Sequence, residues 1–141
     1  MKINDNESLL DRNALAAHRS RRLFLLTLRL MAAGGINDAH AVNALIGAFG
    51  KSYRRPLVLM RAMILELSRA SQNRIMVAPC CCTRMTVQEA QIIAAAASAV
   101  ADPHGTHDRL CALLGTQNAL GALSCMQAVG QCFEDLGQPL S

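Results

Sequence analysis

Glycine and proline cut this chain into apolar runs of helical spacing, and that punctuation narrows the folds open to it more than any single motif. Gly34-Gly35, Gly50, Gly115 and Gly137 each follow such a run. A helix commonly ends where the next residue can take a left-handed backbone, which glycine does without steric cost. Within the runs, apolar residues recur three and four apart. Val42, Leu45, Ile46 and Phe49 are one example, and this is the period of a helix with one buried face. The expectation is an all-α single-domain irregular or orthogonal bundle of five to six helices.

The first helix is expected from near Asp11 to Ala33, apolar nearly all round from Leu23 to Met31 and therefore central. Asn37 is expected to cap the second, with Asp38 in its first turn, where a negative charge suits the helix dipole. Pro56 fits the first turn of a third helix reaching about Arg69. No helical period survives from Ser71 to Met85. Ile75-Met76-Val77 reads as extended, and an irregular stretch of this length is often functional. Thr86-Val87-Gln88-Glu89 is a capping box that opens a fourth helix reaching about Ala101. Asp102-Pro103-His104-Gly105 reads as a turn before a short helix from Thr106 or His107 to Leu114. A last helix spans about Gln117 to Leu136.

A chain of 141 residues can close one hydrophobic core unaided. With 52% hydrophobic and 17% charged residues, most of it is too apolar to remain disordered. Residues 1–10 are expected to form a flexible arm and residues 11–141 a single helical domain. Thirteen of the 14 Lys and Arg fall in residues 1–84, with only five of the 10 Asp and Glu. The basic half therefore docks on the acidic half, on a second subunit, or on an anionic partner. Arginine dominates the basic set, which suits bidentate pairing with carboxylate or phosphate. The four aromatics, Phe24, Phe49, Tyr53 and Phe133, are too few for single-strand stacking platforms. Together with scarce lysine and no docking motif, they count against nucleic acid as a partner.

The start is polar, and the apolar run after Arg22 is broken by Arg29, so no secretory signal is expected. The uncharged stretch from Leu110 to Phe133 contains Gln117, Asn118, Gln127 and Gln131. It is too polar for a good membrane span. A cytoplasmic protein follows, in which the six cysteines are thiols or metal ligands.

Cys80-Cys81-Cys82 is the most unusual local feature. In an extended strand Cys80 and Cys82 would share one side and Cys81 the other. Two thiolates on one side can begin a soft site for zinc or iron, which His104 and His107, or the later cysteines, would complete. Arg84 and the helix start at Thr86 favour thiolate. Against this, cysteine packs most often as a small buried hydrophobe. His104 and His107 are three apart and can share a helical face, yet histidines and Asp108 at such a place also serve as ordinary caps. Cys125, Cys132, Gly121 and Val129 form a stripe of small residues on the last helix, a packing feature.

Arg29 and Arg61 stand in apolar runs and need partners. Glu66, the one acidic residue between Asp38 and Glu89, is the expected partner of one of them. Arg54, Arg55 and Arg84 are anion-binding candidates, the first two because they precede the Pro56 helix start. No catalytic triad, phosphate-binding glycine loop or paired carboxylate motif is present, so no catalytic residue is expected.

Gly34-Gly35-Ile36-Asn37-Asp38-Ala39-His40-Ala41, Phe49-Gly50, Tyr53-Arg54-Arg55-Pro56-Leu57-Val58-Leu59 and Ala78-Pro79-Cys80-Cys81-Cys82-Thr83-Arg84-Met85-Thr86 together resemble a small family of uncharacterised alphaproteobacterial proteins. The resemblance covers roughly residues 20 to 100. It implies a bacterial, cytoplasmic, all-helical protein and carries no catalytic residue with it. The functional expectation is a non-enzymatic binding or regulatory module, a homodimer whose arginine-rich half meets an acidic protein or small anion. The alternatives are a thiol or metal protein acting through Cys80–Cys82, and a weak anion or nucleic-acid binder.

Overall fold

The computed structural model describes residues 9–10 and 18–141. Among them are six α-helices: α1 (Arg19–Gly34), α2 (Ala39–Phe49), α3 (Arg54–Ala70), α4 (Val87–Ser98), α5 (Pro103–Leu114) and α6 (Leu120–Asp135). A 3-10 turn, Gly50–Ser52, joins α2 to α3. The fold is all-α, as the punctuation implied. One two-residue antiparallel ladder accompanies the helices, with β1 (Leu9–Leu10) against β2 (Met85–Thr86) and Leu9 opposite Thr86. Of the arm expected over residues 1–10, only this strand lies within the described residues. The part of the first helix expected over residues 11–17 lies outside them.

Local chemistry explains the helix ends. Gly35 has φ +91° and donates its N–H to Met31 O at 2.9 Å, closing α1. Gly34 is glycine for another reason: a Cβ there would run into the Asp38 carboxylate. That carboxylate caps α2 by accepting the Ala41 N–H at 3.0 Å. The cap is thus Asp38, not Asn37, because Asp38 is the residue immediately before the first helical turn. Likewise, Asp102-Pro103 is not a free turn but the start of α5. Asp102 caps it by accepting the Gly105 N–H at 3.1 Å, and Pro103 sits at the first helical position, where a missing N–H costs nothing.

The core is one continuous cluster drawn from all six helices. Within it, buried Phe133 of α6 meets Phe49 edge-on at 5.2 Å between ring centroids and Phe24 at 6.3 Å. Such edge-to-face pairs add to simple area burial. The most extensive helix pairing is α3 with α6. The C-terminal segment folds back onto α1. Ser20 Oγ donates to Pro139 O, Arg21 Nε donates to Leu140 O at 2.8 Å, and Leu140 is buried. Among the described residues, no helix is long and apolar enough to cross a membrane.

Residues 71–84 are irregular but not slack. Gln72 N–H donates to Leu114 O at 2.7 Å and Asn73 Nδ2 to Leu113 O at 3.2 Å. These bonds satisfy carbonyls that the end of α5 would otherwise leave unpaired. The far end of the segment is held by a buried ion pair.

Candidate functional site

Arg29 lies in the middle of α1, where its face is turned to the core, and only 4% of its surface is exposed. A buried guanidinium must be paired and fully hydrogen-bonded. Its partner is Glu89 of α4, not Glu66. Arg29 Nε donates to Glu89 Oε2 at 2.7 Å and Nη2 donates to Oε1 at 2.9 Å, a two-pronged fork. The remaining donors reach the irregular segment: Nη1 to Cys82 O at 2.7 Å and Nη2 to Arg84 O at 2.6 Å. Glu89 in turn accepts the Ala78 N–H at 3.1 Å and the Thr86 N–H at 2.9 Å. Thr86 Oγ1 completes the capping box by accepting the Glu89 N–H at 3.0 Å, and it donates to Met76 O at 2.6 Å. One ion pair therefore grips the segment at residues 78, 82, 84 and 86. Glu66, for its part, pairs with Arg69 one turn along α3 at 2.6 Å, and Arg61 donates to Ile36 O at 2.8 Å.

Between those grips the chain turns back. Cys82 N–H donates to Pro79 O at 3.1 Å, so Cys80 and Cys81 are the two central residues of a tight turn. Both are exposed, and Cys82 is half-buried. The extended alternation expected for the three cysteines is replaced by this turn, because the grips at 78 and 82 draw its two ends together. Cys125 and Cys132 differ in kind. Burial pushes both thiols up, reinforced at Cys125 by the charge of Glu66.

The other candidates are dispersed. His104 and His107 both lie on α5, and His104 is exposed. His107 Nε2 accepts the Ala119 N–H at 3.1 Å, at the entrance to α6, and its ring lies 3.6 Å from Cys111 Sγ. Among the described residues, no group of three or more His, Cys, Asp or Glu is placed to hold a metal ion. Arg55 pairs with Asp135 of α6 at 3.1 Å on the surface. Hydrogen bonds from Gln131 and then Arg55 hold the Asp135 carboxyl below its usual range. Arg54 is exposed at the start of α3, and Arg84 is exposed at the end of the cysteine segment. Arg54 and Arg55 thus stand at the start of α3, and Arg84 stands beside the cysteine turn.

A feature that motif reading missed is a groove of about 300 Å³ beside the ion pair. Leu28 and Met31 of α1 form one wall, Ile64 and Leu65 of α3 another, and Ile75 and Val77 of the irregular segment a third, with buried Ile92 of α4 behind them. Among the described residues, no titratable side chain lines it, and Ser68 supplies the one polar side chain. The available signal was Ile75-Met76-Val77, three apolar residues in a stretch with no helical period to bury them. The groove and the thiol turn share an anchor. Leu28 precedes Arg29, Val77 precedes Ala78, and Ile92 follows Glu89 by one helical turn.

The model of a family described as "Family of unknown function (DUF6628)" matches residues 1–137. No curated protein and no solved structure matches the chain.

Proposed function

The chain belongs to the DUF6628 family of unknown function, and from that premise we propose that it is a single-domain, non-enzymatic binding module. The observation that carries the reading is the groove between α1, α3 and residues 75–77, which the described residues wall with aliphatic side chains and no titratable one. Its volume sits at the low end of the ~300–1,000 Å³ typical of small-molecule sites. The aliphatic wall that the described residues build suits a small uncharged ligand with an aliphatic body. Ser68 offers that ligand a single hydroxyl for orientation.

Two further attributes belong to the same proposal. The protein pairs with a second copy, supported by Val58 and Leu65, which lie seven residues apart on α3 and are 60% and 52% exposed. It works in the cytoplasm, supported by six cysteines with no disulfide among them. Light scattering checks the pairing: the wild type should have the mass of a dimer and Val58→Asp that of a monomer.

Methyl-resolved NMR tests the groove itself. Titration with an aliphatic alcohol such as hexanol should shift the methyls of Leu28, Ile64, Ile75, Val77 and Ile92 together. An Ala32→Phe variant, which narrows the mouth, should abolish those shifts while leaving the Met126 and Val129 methyls unmoved. Shifts spread evenly over the surface, or none at all, would overturn the reading.

A further inference from the structure

The thiol turn is separate from the groove, and nothing in the binding proposal uses it. Cys80 and Cys81 project from a tight turn into solvent. The turn's base is fixed on both sides, by Ala78 N–H to Glu89 and by the Cys82 and Arg84 carbonyls to Arg29. Adjacent α-carbons across a trans peptide are about 3.8 Å apart. An unstrained disulfide needs about 4.4–6.8 Å. A direct bond between these two sulfurs is therefore strained, whereas one bridging atom with longer bonds to sulfur removes the mismatch. Zinc is poorly served, since it takes four ligands and no third ligand gathers here among the described residues.

From this geometry we infer that Cys80 and Cys81 form a two-thiolate site for a soft, thiophilic trivalent metalloid, of which a monosubstituted arsenical is the simplest member. The reaction is a condensation. Two arsenic–sulfur bonds form and two arsenic–hydroxyl bonds break. The two thiol protons leave with the hydroxyls as two waters, and no electrons are exchanged. The fixed base lowers the ordering cost of bringing both sulfurs to one atom. Closure by the second thiol is intramolecular, which typically multiplies affinity ~10²-fold or more.

Native mass spectrometry with phenylarsine oxide tests the site. The expected result is one adduct per chain that survives excess 2-mercaptoethanol, a monothiol, and is removed by 2,3-dimercaptopropanol. Cys80→Ser and Cys81→Ser should each weaken it by ~10²-fold or more. Cys82→Ser and Cys111→Ser should leave it unchanged. Circular dichroism of each variant, expected to match the wild type, separates loss of the site from loss of the fold. A wild-type adduct that the monothiol strips would overturn the assignment. So would an adduct that survives in folded Cys80→Ser, or one that depends equally on Cys82.

Discussion

Glu89 performs two tasks at one position. As the third residue of α4 it reaches back to the Thr86 N–H, and the same two oxygens receive the Arg29 fork. Spacing revealed the first task, because a capping box is a local pattern. The second joins residues 60 apart in sequence, and no local pattern encodes that separation. Counting nearby acids pointed to Glu66, which is instead satisfied by Arg69. Glu89→Ala leaves a buried guanidinium without its counter-charge, so chemical denaturation should show a loss of ~3–5 kcal/mol. The paired change Arg29→Met with Glu89→Leu leaves no unpaired buried charge and should cost less than Glu89→Ala, the remaining loss coming from the Ala78 and Thr86 N–H groups that lose their acceptor. Gly34 offers a second test. It reads in sequence as half of a helix stop, but its role is to leave room for Asp38. Gly34→Ala should displace that cap and cost ~1 kcal/mol in the same experiment.

At the scale of elements, helix positions were legible because glycine, proline and capping residues act locally. Pro56 falls in the first turn of α3 and Gly115 ends α5 with φ +69°. The last helix, α6, starts at Leu120, later than the Gln117 that the sequence suggests. Gln117 and Asn118 are polar and could begin a helix, but Ala119 N–H is held by His107 and the helix follows from Leu120. His107 thus acts as a cap supplied from a neighbouring helix. His107→Ala should unprotect the first turn of α6 in hydrogen exchange and cost ~1 kcal/mol, with α1 and α2 unaffected. The irregular segment was legible as irregular, but not as ordered, because its bonds run to α1, α4 and α5 rather than to itself. The cysteine turn was illegible for the same reason: a row of three cysteines does not reveal what draws its ends together.

For the whole molecule, the charge asymmetry between the two halves is partly resolved inside the chain. Arg29 of the basic half pairs with Glu89 of the acidic half in the core, and Arg55 pairs with Asp135 on the surface. The surface pair makes a pH prediction. The folded pKa of Asp135 is depressed, so its contribution is present above the ordinary carboxylate pKa and is lost as pH falls through the lowered value. The stability gap between wild type and Asp135→Asn should therefore be largest near neutral pH and close on acidification, as denaturant melts at the two pH values would show. The arginine-rich half announced that carboxylates would be met. Which carboxylate meets which arginine depends on how helices pack, and that order is not written in the spacing.

The groove wall and the thiol turn both hang from the Arg29–Glu89 pair, and hydrogen exchange on the Arg29→Met, Glu89→Leu double variant tests that dependence most directly. The amides of Ala78 and Thr86 should lose their protection, because Glu89 is their acceptor. Those in the middle of α3 and α6 should keep theirs. Unchanged protection at Ala78 and Thr86 would contradict the account, showing that the segment is held by something other than this ion pair.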